Sequence, residues 1–327
     1  MTAPVSKRPV TPSAGTPAST EWSYPSADGM HRCHVVEWTP QGVARGVVQI
    51  VHGMADRMGR YDELAGHLTA RGYVVFGADL LGHGYTAGPG ELGIFAEHDG
   101  WAIVSQDVHA LRRLGAERYG SDVPFFLLGH SMGSMFVRQH LDDYPGDVSG
   151  AILSGTTYMN KPMAAAAVIS LEASMRLRGS RGPYAVSRII DRVGARKLTH
   201  KFEPTRTDAD WLSRDPDFVD ANLADPLCGF PSTLALSRDL MVGCRNVGGP
   251  TALRRIRTPL LMLSGSEDPL GGRPAIRRIV HELDRAGHAD AVARVYPGGR
   301  HEVFGEINRE EVFADLGGWL DARTGPA

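Results

Sequence analysis

Gly129-His130-Ser131-Met132-Gly133 is the stretch on which the fold of this chain turns. It follows the apolar run Phe125-Phe126-Leu127-Leu128 and precedes a segment that reads as helix. Strand, sharp turn and helix form the setting in which a G-x-S-x-G pentapeptide becomes a nucleophile elbow. In such a turn the central residue is held in a sparsely populated backbone conformation, at a cost of roughly 1–3 kcal/mol. Glycines two residues to either side let strand and helix close on each other, because neither presents a Cβ. The turn lifts the Ser131 hydroxyl clear of the sheet edge. The Met132 amide, at the start of a helix, is free to donate to an oxyanion. A pentapeptide with three fixed positions also recurs by chance, so the pattern needs partners elsewhere in the chain.

Upstream, residues 47–51 are an apolar run broken only by Gln49, the mark of a strand buried on both faces of a parallel sheet. They lead into His52-Gly53-Met54-Ala55. A helix is expected over residues 60–70, stopped by Gly72, and then a second buried strand over 73–78. That strand runs into Asp79 and the turn Gly82-His83-Gly84. Residues 101–118 have helical spacing, with Ile103, Val104, Val108, Leu111 and Leu114 on one side. Nearer the N-terminus, residues 22–24 and 33–38 read as a strand pair around Ser26-Ala27-Asp28-Gly29.

Downstream, the elbow helix is expected to run to about Tyr144, followed by a buried strand at 150–153. The alternation then breaks. From about 156 to 251 helical stretches predominate and no convincing buried strand is found. It resumes with strands at 260–263 and 291–296 and helices at 274–286 and 310–322. The pattern predicts an α/β protein whose mostly parallel central sheet is covered by helices on both faces. Residues 21–155 and 252–323 form the core, and 156–251 a helical cap inserted after the strand that follows the elbow helix. Residues 1–20, rich in Pro, Ser and Thr, read as a disordered tail.

Composition narrows the class. With 327 residues, 42% of them apolar, and 39 glycines, the chain is long enough for a sizeable core. A formal charge of -2 supplies no whole-chain argument for binding nucleic acid. Cys33, Cys228 and Cys244 are too few and too scattered for a disulfide framework or a C-x-x-C metal site, and reduced thiols are expected. No run approaches the roughly 18 apolar residues of a membrane-spanning helix. Lys7 and Arg8 lack the apolar stretch of a signal peptide after them, so a cytoplasmic protein is expected.

Serine at its ordinary pKa is a weak nucleophile and needs a neighbouring base, itself oriented by a third group. One strand-turn-helix scheme places these partners in the order serine, acid, histidine, in loops at strand C-termini. The two resumed strands supply that order. Leu260-Leu261-Met262-Leu263 runs into Ser264-Gly265-Ser266-Glu267-Asp268-Pro269, and residues 292–296 run into Pro297-Gly298-Gly299-Arg300-His301. Asp268 is the candidate orienting acid and His301 the candidate base. Glu267 competes for the acid's place, and Asp268 also stands where it would cap the helix near Pro274. The second oxyanion donor is expected in the loop after Val51, with the Met54 amide as candidate. His52 and His83, in glycine-flanked turns, read as loop-ordering partners, and Asp79 as the anchor of the turn at 82–84. Asp107 reads as a buried anchor or a solvated residue. No cofactor or metal is called for.

These motifs resemble the α/β-hydrolase superfamily, in particular its monoacylglycerol lipase and lysophospholipase-like branch, also called serine aminopeptidase S33 or hydrolase 4. The resemblance rests on His52-Gly53-Met54 with Gly59-Arg60-Tyr61, Asp79 with Gly82-His83-Gly84, and the pentapeptide itself. Gly265-Ser266-Glu267-Asp268, Gly299-Arg300-His301-Glu302 and Ile307-Asn308-Arg309-Glu310 complete it, from about residue 25 to 322. It implies an α/β-hydrolase fold with a catalytic triad of Ser131, Asp268 and His301 and an oxyanion hole of the Met54 and Met132 amides. It also implies hydrolysis of lipid-like carboxylic esters without a cofactor. Many monoacylglycerol lipases carry Gly-Glu-His after the oxyanion residue, where this chain reads Ala55-Asp56-Arg57. A peptidase, an amidase or an acyltransferase of the same family is the alternative. A non-catalytic binding protein on this scaffold would be expected to show an eroded triad.

In the cap, residues 163–177 form an apolar helix suited to packing on the core or to accepting acyl chains. Residues 156–215 hold 11 Lys or Arg against 6 Asp or Glu, a local charge of +5. The basic residues form either a solvated face or an attraction to anionic interfaces, by which the cap would touch a membrane surface transiently.

Overall fold

The computed structural model of the protein describes residues 8–9, 18–186 and 198–324. The strands are β1 (Arg8–Pro9), β2 (Ser19–Pro25), β3 (Arg32–Trp38), β4 (Gly46–Val51) and β5 (Tyr73–Ala78). They continue with β6 (Phe125–His130), β7 (Gly150–Ser154), β8 (Leu260–Gly265) and β9 (Ala291–Tyr296). One sheet joins them in the order β1-β2-β3-β5-β4-β6-β7-β8-β9. The first three pair antiparallel with their neighbours, and every pairing from β5 to β9 is parallel.

Strands β4 to β8 are buried at every residue, which is why they read as largely apolar runs rather than alternating ones; in β4 the run is interrupted by Gln49, whose Nε2 donates to the Val108 carbonyl. Their side chains still divide by parity. Val47, Val51, Leu127, Leu153 and Met262 face one side, where α2 (Gly100–Tyr119), α3 (Met132–Asp143) and α8 (Gly272–Arg285) pack. Val48, Ile50, Leu128, Ile152 and Leu261 face the other, covered by α1 (Asp62–Ala70) and α9 (Arg309–Thr324). Each fully buried Leu, Ile or Phe in these layers contributes roughly 1.5–3 kcal/mol. β9 is the edge strand and is only half-buried, with Arg294 exposed.

Of the stretch expected as a disordered tail, only residues 8–9 and 18–20 are described, and 8–9 pair with β2. The turn between β2 and β3 is pinned from α2 by Asp107, which accepts from Ser26 Oγ at 2.8 Å and the Ala27 amide at 2.6 Å. Asp107 is thus a buried anchor. All three cysteines are free and buried.

The segment after β7 comprises α4 (Lys161–Arg176), α5 (Pro216–Ala224), α6 (Leu234–Val247) and the short α7 (Gly249–Leu253) among the described residues. Arg188, Asp191, Arg192, Arg196 and Lys197 lie outside them. α6 packs against α4 on one side and against α3 and α2 on the other. Its Leu236, Cys244 and Val247 are therefore part of the main apolar core. No helix among the described residues is long and apolar enough to cross a membrane. β4, β6, β8 and β9 all end on the same edge of the sheet, and the loops that follow them converge there.

Candidate active site

Ser131 sits between β6 and α3 with φ 52° and ψ −118°, a conformation side-chain-bearing residues rarely adopt. The surroundings impose it. Its amide donates to the Ser154 carbonyl at 2.9 Å, and its own carbonyl accepts from Ser134 Oγ at 2.6 Å. A Cβ on Gly133 would run into the Val51 carbonyl, and one on Gly129 into the Gly133 carbonyl. Strand and helix touch backbone to backbone here, so both glycines are required.

Asp268 and His301, from the loops after β8 and β9, meet. The imidazole Nδ1 lies 3.0 Å from Asp268 Oδ1, which also accepts from the Leu270 amide at 2.9 Å. Both residues are buried. Burial disfavours the imidazolium, but the adjoining Asp268 carboxylate outweighs it and raises the His301 pKa above its ordinary value. Burial likewise opposes the Asp268 charge, and His301 reverses this, leaving the carboxyl below its usual range. Glu267 points elsewhere: it is half-exposed and pairs with Lys201 Nζ at 2.9 Å. Asp268 also does not cap α8, whose N-cap is Gly271.

Ser131 and His301 are not hydrogen-bonded to each other in this structure, among the described residues. Each packs against a glycine, and the His130 ring adjoins His301. A Cβ on Gly53 would lie 3.3 Å from Ser131 Cβ and from the His130 ring, and one on Gly155 3.0 Å from His301 Cε1. The His130 and His301 rings are 5.0 Å apart. Burial, and then the His301 charge, push the His130 pKa down to about 3, so this ring is neutral.

The Met54 and Met132 amides directly follow Gly53 and Ser131 in the chain, and neither has a backbone or side-chain acceptor among the described residues. His52 orders the loop that carries the first. Its Nε2 accepts from the Leu80 amide at 2.9 Å, so the ring proton is on Nδ1, which donates to the Gly53 carbonyl at 2.7 Å. A histidine so engaged is a brace and not a base. His83 Nδ1 likewise engages the Leu81 carbonyl at 2.9 Å. Asp79 accepts from the Met58 amide at 2.7 Å and the Tyr85 amide at 2.9 Å, tying two turns together.

Several site neighbours were not expected from the sequence. The Trp211 ring, from the cap, lies 5.2 Å from the His301 ring, and its carbonyl accepts from the His301 amide at 3.4 Å. Glu302 and Asp56 share the Arg60 guanidinium beneath the loops. Farther away, His109, His140 and Asp147 bring ligand-type atoms within 4.8 Å of one another. Arg112 Nε, 3.4 Å from the same Asp147 oxygen, makes this a hydrogen-bonded anchor.

A mostly parallel sheet with a strained serine after β6, an acid after β8 and a histidine after β9 defines the class: this is an α/β-hydrolase fold. The chain belongs to the serine aminopeptidase S33 family, whose model matches residues 42–308. It is 30% identical over 305 residues to a monoacylglycerol lipase of Mycolicibacterium smegmatis, covering 92% of this chain and 96% of that one. The human monoglyceride lipase is 25% identical over 334 residues, covering 97% and 98%. The crystal structure of a thermostable carboxyl esterase from Bacillus coagulans, in complex with glycerol, superimposes with a TM-score of 0.85. It is 28% identical and covers 93% of this chain and 98% of its own.

Proposed function

We propose that the protein is a serine hydrolase that cleaves carboxylic esters of lipid-like substrates, of the monoacylglycerol or lysophospholipid type, through an acyl-enzyme. The observation that carries this is the buried His301–Asp268 pair beside a serine held at φ 52°. Ser131 Oγ attacks the ester carbonyl carbon while His301 Nε2 takes its proton. Asp268 keeps the imidazole proton on Nδ1 and stabilises the cation that forms. The carbonyl oxygen, now negative, accepts from the Met54 and Met132 amides. Collapse breaks the bond to the alcohol, which leaves with the proton from His301. Water then attacks the acyl-serine by the same steps in reverse roles, releasing the acid and restoring Ser131.

The names of the relatives support esters over amides, and so does Glu172 in the described part of the early cap. A site for free amino termini needs carboxylates facing the substrate. Glu172 is instead drawn along α4 towards Arg176, at 3.8 Å. Hydrolysis of a chain-length series of monoacylglycerols, lysophospholipids and p-nitrophenyl esters, compared with aminoacyl arylamides, tests the assignment. Turnover of the arylamides alone would replace it with the peptidase reading.

The cap also supports contact with a lipid surface. On α4 and just beyond it, Met163, Ile169 and Leu177 are exposed, while Ala164, Val168 and Met175 are buried. Arg176, Arg178 and Arg181 are exposed beside them. An apolar stripe flanked by cations suits peripheral adsorption to an anionic interface, where the ester substrates of this class reside.

A further inference from the structure

Asp56 stands two residues beyond Met54, on the far side of Ala55, whose φ is 55°. Its carboxylate is buried and fully engaged. Oδ1 accepts from the Arg57 amide at 2.7 Å and from Arg60 Nη1 at 2.8 Å, and Oδ2 from the Tyr61 hydroxyl at 2.9 Å. The same guanidinium reaches Glu302, the residue after His301, with Nη2 2.9 Å from Oε2 and Nη1 3.3 Å from Oε1. Arg60 is 11% exposed at its side chain, Asp56 4% and Glu302 13%. One buried cation therefore joins two segments 242 residues apart, each adjoining a group of the proposed site.

Burying three charges is expensive. The effective penalty is several kcal/mol per ion, and well-packed apolar residues often serve stability as well or better. What such a cluster supplies in return is geometry. A planar fork of five donors holds two carboxylates at a set separation, which an ammonium on a flexible stem does not. The loop at Met54 needs such a hold because Ala55 is in a strained conformation. Its other ties, the Gly229 amide to the Ala55 carbonyl and Arg57 to Asp225, lead to the cap, and His52 and the Met58 amide tie it to Leu80 and Asp79 after β5; none of these reaches the histidine loop.

We propose that Arg60 is a positioning residue that ties the loop carrying the Met54 amide to the loop carrying His301. Oxyanion donor and base then keep one separation through the reaction. This rests on the assignment of Ser131, His301 and Met54 above. Arg60 acts through its two carboxylates and touches no reacting atom. The cluster also sets the charge facing His301. Asp268 approaches the ring from the loop after β8, neutral His130 from the elbow, and Glu302 from its own loop, with Asp56 and Arg60 behind. Two carboxylates and one guanidinium leave one net negative charge there, which favours the imidazolium.

The test uses the full chain, a soluble p-nitrophenyl ester, and the variants Asp56→Asn, Glu302→Gln, their combination, and Arg60→Lys. Asn and Gln match the carboxylates in size while removing the charge that holds the guanidinium, so they carry the test if the lysine variant fails to fold. Each single substitution is expected to lower kcat about ten-fold with KM within about two-fold, since misplacement affects the transition state first. The combination should cost no more than the larger single, because both break the same tie. In Glu302→Gln the acid limb of the kcat/KM profile should move to lower pH, an effect a purely structural ion pair would not produce. Folded variants with unchanged kcat, losses that multiply in the combination, or an unmoved acid limb would overturn the proposal. Ser131→Ala separates the two readings. If it still reacts with a fluorophosphonate, the site assignment fails. If it is inert while the carboxylate variants turn over at the wild-type rate, only the positioning role fails.

Discussion

His301 Nδ1 lies 3.0 Å from Asp268 Oδ1, a contact between residues 33 apart in the chain that joins the loops after β8 and β9. The neighbouring carboxylate of Glu267 is half-exposed and engaged by Lys201. These two acids, adjacent in sequence, therefore have opposite expected phenotypes. Asp268→Asn should lower kcat on the order of 10³–10⁴-fold, because an amide no longer holds the imidazole proton on Nδ1. Glu267→Gln should leave it within about two-fold, as expected for a rim ion pair. Steady-state kinetics of the two variants on one ester checks this.

The pH dependence follows from the same contact. The proposed base must be neutral to accept the serine proton, and its pKa is raised above the ordinary 6.5. Activity should thus be lost as pH falls through a value above 6.5, and Asp268 stays ionised throughout this range because its pKa is lowered. An acid limb below 6.5 in kcat/KM would contradict the assignment of His301.

The elbow glycines make a stability prediction. A Cβ at Gly133 meets the Val51 carbonyl, which belongs to the central strand β4 and cannot swing aside. Gly133→Ala should cost about 1–3 kcal/mol by overpacking, read from urea denaturation, together with most of the activity. At Gly29, where a Cβ meets nothing within 4 Å but φ is +73°, only the smaller cost of that backbone conformation applies.

Much of this arrangement is legible in the sequence, for identifiable reasons. β4 to β8 are buried on both faces, so they appear as largely apolar runs, and β5 and β9 begin and end where the pattern places them. Ser131 and Asp268 each follow such a strand and His301 follows the half-buried edge strand β9, and that shared position at a strand's C-terminal end, more than any single residue, marks them out. The Arg60–Glu302 and Trp211–His301 contacts have no such signature. Each depends on where the chain returns after a long excursion, and neither has a local period to betray it. The role of α6 is hidden for a similar reason. Its apolar residues declare a buried face, but not that the face packs on α2 and α3 as well as on α4.

Adsorption through the cap is separable from chemistry. Replacing Met163, Ile169 and Leu177 with Ser should weaken co-sedimentation with anionic vesicles while leaving turnover of a soluble ester unchanged. Added salt should also reduce activity on those vesicles, since exposed charges are screened over about 8–10 Å at physiological ionic strength. A salt-insensitive rate would remove the electrostatic part of the proposal.

The central claim, that Ser131 is an activated nucleophile, is tested most directly by a fluorophosphonate probe followed by intact mass. Wild-type protein should gain one adduct per chain, on the peptide that contains Ser131, and Ser131→Ala should gain none. Labelling of the alanine variant at the wild-type rate would contradict the account.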